Sequence, residues 1–195
     1  MKKISAVIAL LGVVAAVSVV RADIIPSFGG TSPGTGTNTV WNYSINITTD
    51  QQVMAGDFFT IYDFGPFIAG SATEPAGWTF SSSLVTTPPA GTIPPDNPSL
   101  EDLTWTYIGA TTIPNGTHLG PFSVTQATTQ FQEVPSLQTG YFAALATRSD
   151  GQDAGSKISN VGRVSVPVPV PEPTTLSLLA LAGTGSVLRA IRRRK

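Results

Sequence analysis

The sequence predicts an all-β protein, an antiparallel sandwich of two sheets with about seven or eight strands. The central part of the chain is rich in Thr, Ser, Gly and Pro, a composition that favours strands and turns over helices. Short alternations of apolar and polar residues recur along it, separated by turn residues. No long segment places apolar residues at helical spacing. These three observations predict the fold class before any single element is considered.

The N-terminal residues 1–22 are typical of a secretory signal peptide. A short positive head, Met1 to Lys3, precedes an apolar run over residues 4–20. Val20 and Ala22 have side chains of small or moderate size at the two positions that signal peptidase reads. Cleavage is therefore predicted after Ala22. We therefore expect the exported chain to begin at Asp23, with an uncleaved N-terminal anchor as the alternative.

Residues 23–39 contain mainly Gly, Ser and Thr and offer little to bury, which predicts a flexible leader or an irregular edge. The sandwich domain is predicted over residues 40–166. Its first strand has one apolar and one polar face, because apolar residues occupy alternate positions. The apolar positions are Trp41, Tyr43, Ile45 and Ile47.

Six further segments have the pattern of strands. They cover residues 57–64, 78–85, 103–108, 119–125, 139–147 and 162–168. The 57–64 segment carries large side chains on both faces, so we expect it to be a central strand. Residues 86–99 contain five prolines, which cannot donate ladder hydrogen bonds, so an extended loop is predicted there.

Charge and cysteine content narrow the possible functions. Between residues 23 and 170 there are three basic and eleven acidic side chains, a net charge of −8. An acidic domain without a basic stripe is not expected to bind nucleic acid. The absence of cysteine means that burial, not disulfides, must stabilise the fold.

No residue pattern in the sequence predicts catalysis or a cofactor. The chain has one histidine, His118, and no cysteine, so it lacks the usual transition-metal ligand sets. We therefore expect a protein that is not an enzyme, and a hydrolase would need a cleft of convergent polar groups. Asp150 and Asp153 lie three apart in a Gly-rich turn and could share a calcium ion, although a solvated turn is the preferred interpretation.

The tryptophans Trp41, Trp78 and Trp105, with Tyr43 and Tyr107, offer a second candidate site. If they were exposed on one sheet face, they could stack against sugar rings, as in carbohydrate-binding modules. Packing in the core is the preferred interpretation, because large aromatic side chains dominate the interior of small domains.

The C-terminal end of the chain has three parts in a fixed order. A Pro-rich stalk over residues 167–173 ends in Pro171, Glu172 and Pro173, and a segment over residues 174–191 follows that is apolar up to Leu188 and contains Arg189. As a helix this segment would rise about 27 Å, close to the hydrocarbon thickness of about 30 Å. We therefore predict a transmembrane helix followed by a cytoplasmic tail over residues 192–195. The cations at this end are Arg189, Arg192, Arg193, Arg194 and Lys195.

This order resembles the PEP-CTERM sorting signal of exported bacterial proteins, in which a Pro-Glu-Pro motif precedes one membrane helix and an Arg-rich end. The resemblance implies recognition by an exosortase, a membrane-embedded cysteine transpeptidase thought to cut near the motif. It also implies a precursor in the inner membrane, then a place at the cell surface or in the extracellular matrix, associated with exopolysaccharide. We expect a structural protein. The alternatives are a carbohydrate-binding module and an unprocessed single-pass membrane protein.

Overall fold

The computed structural model describes residues 24–127 and 137–167, which form nine β-strands and no helix within those ranges. The all-β prediction is therefore confirmed for this part of the chain. The predicted signal helix and transmembrane helix lie outside the described residues. The strands are β1 (Ile24–Pro33), β2 (Thr39–Ile47), β3 (Gln51–Gln52), β4 (Phe58–Ile61), β5 (Trp78–Ser83), β6 (Asp102–Tyr107), β7 (His118–Gln126), β8 (Leu137–Arg148) and β9 (Lys157–Pro167).

The strands form two sheets, and every strand pairing among the described residues is antiparallel. The smaller sheet has the order β1-β2-β7. In the larger sheet β9, β8, β4, β6 and β5 follow one another. The short β3 pairs with the last residues of β8, on the edge that β4 also uses. The predicted two-sheet arrangement is thus confirmed, and β4 is central, as its two bulky faces indicate.

The stretch predicted as a flexible leader is an edge strand instead. Its β1 pairs with β2 from Ile24 opposite Ile47 to Pro33 opposite Thr39, with a register shift between Phe28 and Gly30. Ile24 is completely buried and Phe28 packs against the core, so two apolar side chains and a ladder of backbone hydrogen bonds hold the strand. The prediction of a flexible leader is wrong, whereas the alternative of an irregular edge is correct.

The core lies between the two sheets and is mainly aromatic. As predicted, the apolar positions of β2 from Trp41 to Ile47 all point inward and are buried. Phe122 of β7 contacts three rings of the larger sheet, with centroids 5.1 Å from Phe59, 5.1 Å from Trp78 and 5.9 Å from Trp105. Edge-on aromatic packing of this kind therefore joins the two sheets directly.

The segment between β5 and β6, residues 84–101, forms a proline-rich loop that lies against the outer face of the larger sheet. Thr60 and Ala143 belong to that outer face, since Phe59 and Ala144 beside them point into the core. Both residues are nevertheless completely buried. The Ser159 hydroxyl of β9 donates a hydrogen bond to the Ala90 carbonyl of the loop at 2.5 Å. The smaller sheet therefore covers the inner face of the larger sheet, and the loop covers part of its outer face.

No helix within residues 24–127 and 137–167 is long and apolar enough to cross a membrane.

Candidate functional site

The tryptophans do not form a sugar-stacking surface. Trp41 and Trp105 are completely buried and Trp78 is 5% exposed. Tyr43 and Tyr107 are buried as well. The inward positions of their strands place all five side chains in the core, so the predicted stacking site is wrong and the preferred interpretation as core residues is correct.

The Gly-rich turn with Asp150 and Asp153 connects β8 to β9. The turn is closed by backbone hydrogen bonds from Gly155 to Arg148 and from Ser156 to Asp153, each 2.9 Å. Both aspartates are exposed, and among the described residues no further acidic or histidine side chain joins them in a three-ligand group. The structure therefore shows a solvated hairpin turn at the position of the predicted calcium candidate.

A shallow, open groove of about 320 Å³ lies on the outer face of the larger sheet. It is lined mainly by hydroxyl side chains, and no acidic, basic or histidine side chain is among them. The lining residues are Phe58, Ser81, Ser82, Ser83, Val85, Thr86, Thr87, Thr104 and Thr106. Such a surface can form hydrogen bonds but offers no group that would transfer protons near neutral pH.

Three carboxylates meet where the proline-rich loop contacts the sheet, and we call Asp63, Asp96 and Asp102 the acidic cluster. Asp63 follows β4, Asp102 begins β6, and Asp96 belongs to the loop. One oxygen of each lies within 4.8 Å of the others. Asp102 is completely buried, Asp63 is partly buried and Asp96 is exposed. The cluster therefore opens to solvent on the side of the loop.

Backbone hydrogen bonds fix the positions of these carboxylates. The Asp63 N–H donates to Asp102 Oδ1 at 3.1 Å, and the Asn97 N–H donates to Asp63 Oδ1 at 2.8 Å. β4 ends at Ile61, earlier than the predicted residue 64, and Asp63 beyond it adopts a left-handed conformation with φ of 56°. Aspartate tolerates this conformation better than most residues do, so the chain can turn here and bring Asp63 toward the loop.

The cluster is poor in positive charge. Burial raises the pKa of Asp102 to about 6, while the Asp63 N–H and the Thr86 side chain offset part of the rise and the carboxylates of Asp96 and Asp63 add to it. Burial likewise raises the pKa of Asp63. Within the described part of the chain, the one ion pair joins Lys157 to Asp57 at 2.5 Å. The ionised form of the cluster therefore has no basic side chain to balance it there.

Sequence reasoning alone does not find the acidic cluster. Part of it could be found, because Asp63 ends one predicted strand and Asp102 immediately precedes another, and antiparallel pairing places such residues side by side. Asp96 lies in a loop whose path follows from no periodicity in the sequence. The third carboxylate therefore becomes visible only in the folded chain.

Three predicted features lie outside the described residues. They are the sorting residues Pro171, Glu172 and Pro173, the basic residues from Arg189 to Lys195, and the cleavage position Ala22. What the structure does show is the strand that leads toward the C-terminal segment. β9 pairs with β8 along its whole length, from Lys157 opposite Thr147 to Pro167 opposite Leu137. The C-terminal segment therefore follows directly from a strand that is firmly part of the larger sheet.

Comparison with protein families gives a match at the C-terminal end. Residues 169–195 match the family model described as a PEP-CTERM protein-sorting motif. The match begins two residues after β9 ends at Pro167, and it contains the Pro-Glu-Pro tripeptide, the apolar segment and the basic residues. A comparison with curated proteins gave no match for the chain. The motif implies processing by an exosortase, export and surface sorting, and the resemblance noted in the sequence is confirmed.

Proposed function

We propose that this exosortase substrate is a structural protein of the cell surface or extracellular matrix, and that its sandwich domain acts without catalysing a reaction. The observation that carries the proposal is the sorting motif at residues 169–195, which begins two residues beyond the last strand of the domain. Sorting therefore delivers one folded unit, with hardly any chain between the sheet and the motif.

The way β9 is held supports a structural role. Eleven consecutive residue pairs join β9 to β8, and β8 is joined in turn to the central strand β4. Tyr43 of the smaller sheet donates a hydrogen bond to the Ser165 carbonyl near the end of β9 at 2.9 Å. A load applied through the C-terminal segment would therefore be distributed over both sheets.

The surface of the domain supports a role other than catalysis. The groove on the larger sheet is lined by Ser, Thr, Val and Phe, and the aromatic side chains that could have bound sugar are buried. The exported stretch carries an excess of acidic side chains, which favours solubility and mutual repulsion of neighbouring copies. These properties suit a domain displayed at high density in a hydrated, polysaccharide-rich layer.

The proposal includes a route to the surface. Signal peptidase would remove residues 1–22, and the segment over residues 174–191 would hold the precursor in the inner membrane with the basic residues in the cytoplasm. Exosortase would then cut near Pro171 to Pro173 and release or reattach the exported part. Exopolysaccharide is the proposed partner at the final location.

The test is fractionation of host cells with mass spectrometry of the mature C-terminus. We expect the wild-type protein in the surface or medium fraction to lack Arg192 to Lys195, and Glu172→Ala to accumulate as an uncut form in the inner membrane. Glu74→Ala, at an exposed glutamate of the domain, is the matched control and should be processed normally. A wild-type protein that keeps its basic end in the inner membrane would instead support an unprocessed single-pass protein.

A further inference from the structure

We propose that Asp63, Asp96 and Asp102 form a calcium site that fastens the proline-rich loop to the larger sheet. The three residues come from the end of β4, the loop and the start of β6. One bound ion would therefore join three separate parts of the chain. This proposal is independent of the sorting of the protein, because it concerns only the sandwich domain.

The spacing of the carboxylates fits calcium. Calcium binds oxygen ligands at about 2.4 Å, so two oxygens on one ion lie at most about 4.8 Å apart. The oxygens of the acidic cluster lie within 4.8 Å of one another. Carboxylates without nitrogen or sulfur ligands are also typical of the hard cations.

A second observation, independent of the three carboxylates, points to the same place. Tyr62 precedes Asp63, its side chain is completely buried, and its hydroxyl has no hydrogen-bond partner among the described residues. Burial raises the pKa of this hydroxyl most, the charges of Asp102 and Asp96 raise it further, and the neighbouring Thr60 side chain lowers it, so the hydroxyl lies near the cluster. A buried hydroxyl without a partner is costly, and a hydrated ion in the cluster would supply one.

Asp102 shows the same deficit. Its Oδ1 accepts the Asp63 N–H, whereas its Oδ2 is buried without a hydrogen bond from the described residues, and the Thr86 side chain only comes near the carboxyl. A buried carboxylate is normally paired, coordinates a metal ion or is neutralised by a rise of its pKa. Coordination of an ion would therefore satisfy the oxygen of Asp102 that the protein itself leaves unpaired.

The basic side chains of the described residues are committed elsewhere or distant. Lys157 pairs with Asp57, and the Arg163 guanidinium lies 5.5 Å from the centre of the Tyr141 ring. Arg148 lies seven residues along β8 from Tyr141, the residue next to Tyr62, which corresponds to roughly 23 Å of strand. These three side chains of the described residues do not neutralise the cluster, so a cation from solution is the proposed source of positive charge.

The experiment uses the full chain, purified in detergent and treated with EDTA, which is then removed. Calcium chloride is titrated by calorimetry, and thermal unfolding is followed with and without 10 mM calcium. We expect one saturable site and a melting temperature raised by about 5 °C, since an ion that binds only the folded state stabilises it. Extracellular calcium modules have a Kd of about 10⁻⁴–10⁻³ M, which is the affinity range we expect.

Asp96→Asn is the informative variant, because Asp96 is exposed and its loss should not prevent folding. We expect it to weaken calcium binding at least about tenfold while leaving the melting temperature in EDTA unchanged, because ligand charge sets affinity in calcium sites. Asp153→Asn, in the exposed β8–β9 turn, is the matched control and should bind like the wild type. The proposal is overturned if the wild type shows no saturable binding, if Asp96→Asn binds equally well, or if Asp153→Asn loses the site.

Discussion

The two faces of the larger sheet differ in what covers them, because the inner face is buried against the smaller sheet while the outer face is buried only in part and is open at the groove. The inner face packs aromatic rings such as Phe59 and Trp105 against Phe122 of the smaller sheet. The outer face carries threonines, serines and carboxylates and is covered in part by the proline-rich loop. Apolar packing loses much stability when one side chain is truncated, whereas a polar contact in a partly hydrated surface contributes less. The comparison therefore predicts that the inner face determines stability and the outer face responds to solution conditions.

The largest effect is expected at the inner face. Phe122→Ala would remove the ring that contacts Phe59, Trp78 and Trp105 and leave a cavity between the sheets, so it should lower the free energy of unfolding by about 3–5 kcal/mol. Chemical denaturation followed by tryptophan fluorescence measures this. Phe122→Leu is the control and should cost less than half as much. A loss below about 1 kcal/mol for the alanine variant would mean that the sheets are not joined mainly through this ring.

An intermediate effect is expected at Asp57, a buried carboxylate immediately before β4. Asp57 accepts hydrogen bonds from the Met54 N–H, the Thr147 hydroxyl and the Lys157 ammonium, at 2.8, 2.8 and 2.5 Å. Asp57→Ala would leave these donors without their acceptor and should cost about 2–3 kcal/mol. Denaturation measures the loss, with Asp150→Ala in the exposed turn as a control. Equal stability of both variants would contradict the assigned role of Asp57.

The smallest effect is expected where the loop meets β9. Ser159→Ala removes the hydrogen bond to the Ala90 carbonyl and should cost about 1 kcal/mol. Its clearer consequence is local, since limited proteolysis should cut the proline-rich loop several-fold faster than in the wild type. Ser81→Ala, an exposed groove residue, is the control. If cleavage within residues 84–101 does not change, the loop is held without this contact.

The sequence predicts the strands that line the inner face better than the contacts made on the outer face. Alternation at a period of two identifies β2, β4 and β6 and the inward direction of Trp41. A strand that is buried on one face has apolar residues at every second position, so the pattern is visible in the local sequence. β1 is held mainly by backbone hydrogen bonds and has few apolar side chains, and β3 has only two residues. Neither strand therefore gives a clear pattern in the sequence. The acidic cluster depends on the docking of a distant loop, which local sequence does not encode. The sorting motif is found completely, because it is defined by the order of residues along the chain.

The position of β4 also determines how the domain can be assembled as it emerges from the membrane. β4 pairs with β6 on one side and with β8 on the other, and β8 comes after β5, β6 and β7 in the chain. If the chain folds while it is exported, β4 therefore has one unpaired edge until β8 arrives. An unpaired edge of this kind can pair with a strand of a neighbouring chain. Arrival of the β8–β9 hairpin closes that side, immediately before the sorting segment follows.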